Sequence, residues 1–135
     1  MSQENVELVR RSYEAESKEG LWAVAEFAHP EVELVPTPDR PESPVLRGVG
    51  ALARQEWLRE ARRTWENWWV RVDHMIDAPQ DKVVVLSHLC GRSRGTGLNV
   101  ELELNHVYTV AHGKIAGVEG YFTRKQALEA AGLSE

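Results

Sequence analysis

The sequence predicts a single-domain α+β protein over residues 1–135, in which N-terminal helices pack on the concave face of a strongly curved antiparallel sheet. The chain has 135 residues, of which 42% are hydrophobic and 27% charged, as in one ordinary globular domain. Helical periodicity fills the first half of the chain and strand periodicity the second. Helices followed by a run of strands are typical of folds that collect helices on one face of a sheet.

Three helices are expected before the main strands. The first covers residues 3–18 and ends at Gly20. A second, shorter helix runs from Leu21 to Ala28 and stops before Pro30. The third presents apolar side chains at four-residue steps along one face. These are Val49, Ala53, Trp57, Ala61 and Trp65.

Five strands and a last helix are expected around these helices. A short strand, Glu31 to Val35, precedes a proline-rich connection that can form the rim of a pocket. Four longer strands follow, and their short links make adjacent strands antiparallel. They are Asn67–Ile76, Lys82–Gly91, Val100–Val110 and Lys114–Phe122, and the last helix is Arg124–Ala131.

Charge and composition exclude several classes of function. The formal net charge of -5 leaves no basic field for nucleic acid, and no apolar run reaches membrane-spanning length. Cys90 is the single cysteine, which excludes an internal disulfide, and no histidine pair has the spacing of a metal site. We expect a cytoplasmic protein that uses no metal and no other cofactor.

One histidine lies on an apolar strand face. Alternation along residues 100–110 places His106 with Leu104 and Tyr108 on one side of the strand, and acidic residues occupy the other. A histidine in such a position is either a core residue that hydrogen-bonds a neighbour or a general acid or base in a desolvated site. The sequence alone leaves both alternatives open.

Five segments of the chain carry a family resemblance: residues 4–15, 27–33, 46–48, 81–85 and 106–115. Through them the chain resembles the SnoaL-like branch of the nuclear transport factor 2-like superfamily, which includes polyketide cyclases and ketosteroid isomerases. The resemblance implies a cone-shaped barrel whose wide end admits a small hydrophobic ligand. It also implies a homodimer paired through the convex face, which here carries Glu101, Glu103, Val107 and Thr109.

The catalytic residues implied by the resemblance match this chain only in part. His106 stands two residues before Tyr108, where the relatives carry a pocket aspartate before an aromatic residue. Their general base precedes a proline at the end of the first strand, and here that position is Val35. Their helix-borne tyrosine aligns with Ser12, and Tyr13 lies one residue further along. The resemblance therefore does not predict a steroid-isomerase mechanism.

Glu33 is a second candidate for a proton carrier beside His106. It faces the pocket if Val35 does, whereas it faces water if Val32 and Leu34 take the core positions. A carboxylate close to His106 would raise the pKa of the imidazole, and without one burial would lower it. We expect the substrate to contact the following residues: Tyr13, Val35, Trp57, Leu104, Tyr108, Val118 and Phe122.

Two classes of function fit these features. The first is a cofactor-independent enzyme that isomerises, cyclises, dehydrates or hydrolyses a small hydrophobic molecule, with His106 as the proton carrier. The second is a non-catalytic module of the same fold that binds a ligand or forms a dimer. Fold alone does not decide between them.

Overall fold

Two helices and six strands make up the described part of the computed structural model, which comprises residues 2–19, 26–35, 46–47 and 65–133. Both helices and the four long strands lie within two residues of the predicted positions. The elements are α1 (Ser2–Glu19), β1 (Ala28–Val35), β2 (Leu46–Arg47), β3 (Trp65–Ala78), β4 (Lys82–Ser93), β5 (Asn99–Ala111), β6 (Lys114–Tyr121) and α2 (Arg124–Ala130).

The six strands form one sheet in the order β2-β1-β6-β5-β4-β3. All neighbours are antiparallel except β1 and β6, which run parallel. Most of the chain separates β1 from β6, so no tight turn dictates their relative direction. The predicted α+β fold with a curved sheet is confirmed, but the sheet is open and contains one parallel pair.

Breaks in strand register accompany the curvature. β3 shifts register against β4 between Trp65 and Asn67 and again between Val72 and His74. β5 shifts against β6 between Thr109 and Val110. Such irregularities bend a strand and increase its twist. The register of β5 with β4 is unbroken from Asn99 to Thr109, so side-chain alternation is regular around His106.

Helix α1 covers the face of the sheet that we call the inner face, which bears Val83, Val85, His106 and Tyr108. Val9 of α1 is fully buried in a cluster with Val83 and Val85. Val6 and Tyr13 pack against the same cluster, as their helical spacing from Val9 predicts. The burial of this apolar stripe holds α1 on the sheet.

Helix α2 covers part of the opposite, outer face, which bears Val84, Leu86 and Val107. The Thr123 hydroxyl accepts from the backbone N–H of Gln126, whose side chain accepts from the Thr123 N–H, so a capping box starts the helix. Ala127, Leu128 and Ala131 then pack on the three outer-face residues. The convex face around Val107 was expected to be covered by a second copy of the chain, but Val107 is fully buried in this cluster within one chain.

Two predicted helix ends are wrong. Ala28 pairs with Ile115 at the start of β1, so tertiary pairing overrides the helical pattern there. Trp65 pairs with Ser93 at the start of β3. A four-residue step is also a multiple of two, so the last residue of an apolar helical series fits one face of a strand equally well. Residues 20–25 and 48–64, which hold the rest of these two helices, lie outside the described residues.

Candidate functional site

His106 lies on the inner face of β5, between Val85 of β4 and Gly120 of β6. Gly120 has no side chain, so β6 contributes only backbone to that row beside the imidazole. The Nδ1 atom of His106 is buried and has no hydrogen-bond partner among the residues that the structure describes. Buried polar atoms are nearly always hydrogen-bonded, so this nitrogen is an exception that needs an explanation.

Burial controls the protonation of His106. Desolvation lowers the pKa of its imidazole from 6.5 to about 4, because a charged ring would lose its hydration without gaining a partner. The ring is therefore neutral near pH 7. This is the outcome that the sequence predicts when no carboxylate lies within reach of the ring.

A pair of tyrosines adjoins the histidine. The Tyr108 hydroxyl donates to the Tyr13 hydroxyl at 2.8 Å, and the two rings meet edge to face with centroids 5.9 Å apart. The ring of Tyr108 lies 6.1 Å from that of His106, centroid to centroid. Tyr108 pairs in turn with Val118 of β6. The structure thus brings Tyr13, Tyr108 and Val118 together with His106 on the inner face.

Leu104 continues the inner face of β5 beyond His106. It is half-buried and pairs with Ser87, whose buried hydroxyl donates to the backbone carbonyl of Leu104. This bond satisfies the serine hydroxyl, so the surface next to His106 keeps an apolar character. Leu104 lies where the sequence places it.

Glu33 lies on the opposite face of the sheet from His106. Glu33 pairs with Gly117, and Gly117 pairs with Thr109, so these three residues form one row across the sheet. The preceding residue of β5, Tyr108, lies on the inner face and forms the next row with Val118. Paired residues share a face and successive residues alternate, so Glu33 cannot meet His106 on the inner face. Val32 is 1% exposed in the inner core and takes the inward position. The prediction of a Glu33–His106 proton-transfer pair is therefore wrong.

Three other predicted contact residues are less directly connected to His106. Val35 pairs with Glu119 in the row next to that of Val118, and its side chain lies outside the described residues. Trp57 lies outside them as well. Phe122 follows β6 and is 39% exposed. Contact of these residues with a substrate stays a prediction.

Sequence reasoning missed two buried polar residues around β5 and α1. Asn105 is 1% exposed; its amide nitrogen donates to Glu103, and its Oδ1 accepts from the Ser87 N–H at 3.4 Å. Ser12 is 2% exposed, and its hydroxyl donates to the Val9 carbonyl at 2.7 Å. Ser12 thus uses its hydroxyl within its own helix. The burial of Asn105 could have been inferred from its position on the strand face that the last helix was able to cover.

A chain of charged side chains on the outer face was also missed. Arg71 contacts Glu101 at 2.6 Å and Asp73 at 3.1 Å, and the His88 Nδ1 donates to Asp73 at 2.6 Å. The hydrogen bond from His88, and then that from Arg71, lowers the pKa of the Asp73 carboxyl below its ordinary value. Trp69 is 58% exposed on this face. These contacts depend on strand register, which the sequence does not specify.

The described residues contain no cluster of three or more His, Cys, Asp or Glu side chains arranged to hold a metal ion. Within the same ranges, no helix combines the length and the apolar character needed to cross a lipid bilayer.

Comparisons with known proteins agree on the fold. An NTF2-like protein of unknown function from Burkholderia pseudomallei is 19% identical with a TM-score of 0.76, covering 95% of this chain and 97% of that one. A putative SnoaL-like polyketide cyclase from Jannaschia is 18% identical with a TM-score of 0.73, covering 96% and 92%. TerC, co-crystallized with polyporic acid, is 20% identical with a TM-score of 0.75, covering 95% and 97%. At these identities the likeness shows a shared fold.

A search of curated protein sequences gave no significant match. The family model of the SnoaL-like domain, however, matches residues 9–118, which is most of the chain and includes the C-terminal part of α1, His106 and Tyr108. The resemblance that the sequence motifs indicate is therefore confirmed, and the chain belongs to the SnoaL-like domain family.

Proposed function

We propose that this protein binds a small, largely apolar molecule on the inner face of its sheet and exchanges a proton with it through His106. The proposed reactions are isomerisation, cyclisation, dehydration or hydrolysis without a metal or organic cofactor. The observation that carries the proposal is the buried Nδ1 of His106 without a described hydrogen-bond partner. A ligand that supplies this partner would offset the free energy lost by burying the nitrogen.

The environment of the ring favours proton acceptance over donation. A neutral imidazole can take a proton from a substrate near pH 7, whereas a carboxylate-paired imidazolium is better suited to donate one. The low pKa of His106 opposes this transfer in the free protein. Negative charge that develops on the substrate beside the ring would raise the pKa of His106 and assist the transfer.

Two of the structural relatives support the choice of ligand class. The Jannaschia protein is described as a putative SnoaL-like polyketide cyclase, and TerC was crystallized with polyporic acid. A pocket for a small organic molecule in this fold is consistent with both. We extend this ligand class to the present chain on the basis of its own His106 environment, because the sequence identities are low.

A binding protein without catalysis is the second candidate. It is favoured by the position of Glu33, which the strand register places on the face away from His106. His106 then lacks the carboxylate partner that the sequence suggested. In this alternative the half-buried imidazole would only hydrogen-bond the ligand through its buried Nδ1.

His106→Leu tests whether the ring serves the ligand or the fold. Leucine removes the unpartnered nitrogen and keeps a side chain in the row between Val85 and Gly120. If His106 serves a ligand, we expect the Tm at pH 7 to stay the same or to rise, and binding of apolar hydroxyl or carbonyl compounds in an NMR screen to be lost.

His106→Gln is the matched control, because it keeps polar atoms but cannot act as an imidazole base. Turnover by wild type that is absent from His106→Gln, with ligand binding retained, indicates an enzyme. Binding to both proteins without turnover by wild type indicates a binding protein. A marked drop in Tm for both variants would contradict the proposal and make His106 a structural residue.

We also propose that the protein is a homodimer that functions in the cytoplasm, where the single thiol of Cys90 would stay reduced. The outer face beyond α2 supports the dimer, because it exposes Trp69 next to charges of both signs. Tryptophan and arginine are enriched among the residues that contribute most to protein interfaces.

A further inference from the structure

The apolar surface of β5 extends well beyond His106. Leu104 and Leu102 follow it on the inner face, since the register of β5 with β4 is unbroken through this region. Leu102 is 44% exposed and pairs with Leu89 of β4. The pairing of β5 with β6 ends at Asn105, so no described strand flanks Leu102 on its other side. An exposed leucine in line with a buried nitrogen that has no partner in the described ranges is consistent with a ligand that contacts both.

The track of Leu104 and Leu102 is bounded at its far end by Trp65. Gly91 lies two residues beyond Leu89 on the same face of β4 and pairs with Val100. A methyl group added to Gly91 would come within 2.8 Å of the Trp65 ring carbon Cε3. The indole therefore covers Gly91 on the inner face, and Trp65 itself is only 8% exposed.

The inner face carries no described cation close to His106. The residues that share its row, or that precede and follow it on the same face of β5, are Met75, Val85, Leu104, Tyr108 and Gly120. The acidic residues of β5, Glu101 and Glu103, alternate onto the outer face. An uncharged hydrogen-bonding group fits these surroundings better than a carboxylate does.

We propose that the ligand is elongated and uncharged, with one hydroxyl or carbonyl group at His106 and an apolar tail along Leu104 and Leu102, and that Trp65 limits the length of the tail. The inference rests on the proposed function and adds the orientation and the size of the ligand. The distance along the strand from His106 to Leu102 is about 13 Å, which sets the length of the tail.

A series of primary alcohols from butan-1-ol to decan-1-ol tests the proposal. Affinities are measured by NMR, with the His106 ring and the Leu102 methyl groups as reporters. We expect each added methylene to strengthen binding about fourfold until the tail reaches Trp65, after which the gain stops. The methyl ethers of the same alcohols, which cannot donate a hydrogen bond, should bind more weakly at every length if Nδ1 accepts the bond.

Two variants distinguish the contribution of the apolar tail to binding from that of the hydroxyl group. Leu102→Asn should weaken the long alcohols about tenfold and leave butan-1-ol unchanged. His106→Leu should weaken all members by the same factor. The matched control is Leu98→Asn, because Leu98 is 65% exposed in the turn between β4 and β5. Its carbonyl accepts from Ser93, the partner of Trp65, so it lies beyond the Trp65 end of the track and its substitution should change no affinity.

The outcomes distinguish this inference from the proposed function. Binding that depends on His106 at every length but not on Leu102 would overturn the track and leave the proposed function standing. Binding that weakens equally at all lengths in Leu102→Asn would also overturn it. If no member of the series binds saturably and in a His106-dependent way, the proposed function fails together with the inference.

Discussion

The two faces of the sheet treat polar side chains in opposite ways. On the inner face, His106 keeps a buried nitrogen without a described partner. On the outer face, Asp73 is bonded by both Arg71 and His88, and Arg71 also pairs with Glu101. β5 contributes to both faces, because Glu101 and His106 are an odd number of positions apart and their side chains therefore point to opposite sides of the strand.

The difference separates polar groups that already have partners in the protein from a polar group that is available to a ligand. Paired charges on an exposed face contribute little stability and are screened by solvent. An unpaired buried nitrogen is unfavourable in the free protein, and such a group is retained most readily where a ligand completes it. The inner face is therefore the better candidate for chemistry, although the outer face carries more ionisable groups.

The largest expected effect is a loss of stability on acidification that depends on His106. Its pKa is about 4 in the folded chain and ordinarily 6.5, so below pH 6.5 the unfolded chain binds a proton that the folded chain does not. Stability should fall as the pH drops from 6.5 towards 4, by up to about 3 kcal/mol. Urea denaturation across this range should show a much shallower pH dependence for His106→Leu than for wild type.

Asp73 provides the comparison on the outer face. Its pKa is lowered below the ordinary 3.8, so its contribution is present above that value and is lost only as the pH falls through the lower, folded value. Asp73→Asn should therefore leave the pH dependence between 6.5 and 4 unchanged. Equal slopes for wild type and His106→Leu would show that the imidazole is hydrated in the folded protein.

A smaller loss is expected when a methyl group is added to a glycine of the inner face. The new Cβ in Gly91→Ala would lie 2.8 Å from both the Asn67 carbonyl oxygen and the Trp65 ring. Because a backbone atom is involved, the strands must shift, and we expect a loss of about 2 kcal/mol. Thermal denaturation followed by circular dichroism measures the change in Tm.

Gly117→Ala is the matched substitution on the outer face. Its Cβ would meet the Glu33 carbonyl oxygen and the Thr109 Cβ at 3.8 Å, which is ordinary van der Waals contact. The free energy of unfolding should change by less than about 0.5 kcal/mol. If the two alanine variants had the same Tm, the close packing of Trp65 on Gly91 would be contradicted.

The sequence predicted the features that depend on local periodicity. The strand that carries His106 and its two faces follow from residues 100–110 alone, because alternation has a fixed period of two. The depressed pKa of His106 follows from its apolar neighbours once no carboxylate is near. The four long strands were placed correctly for the same reason, since short turns with Gly, Pro or Asp separate them.

The features that depend on pairing between distant segments could not be predicted. The position of Glu33 required the register between β1 and β6, and the sequence offered one phase with Val32 inward and another with Val35 inward. The packing of Trp65 on Gly91 required the register between β3 and β4. Helical spacing placed Trp65 in a helix, because nothing local marks where the helical series gives way to a strand.

The smallest effect on the folded chain is expected at Trp69, whose substitution tests the dimer. Trp69 pairs with Cys90 and, through it, shares a row with Glu101, and the neighbouring Arg71 links this row to Asp73. We expect light scattering of wild type to give about twice the mass of one 15.3 kDa chain, and Trp69→Glu to give the mass of one chain. The indole would then be the apolar anchor of the interface, and a buried unpaired carboxylate in its place would prevent association. Because Trp69 is 58% exposed, the strand content by circular dichroism should stay the same.

Leu98→Glu is the control, since this leucine is 65% exposed at the tip of the β4–β5 hairpin and should leave the dimer intact. A wild-type mass near that of one chain at micromolar concentration would contradict the dimer. A dimeric Trp69→Glu would place the interface elsewhere and leave the outer face beyond α2 as a solvated surface.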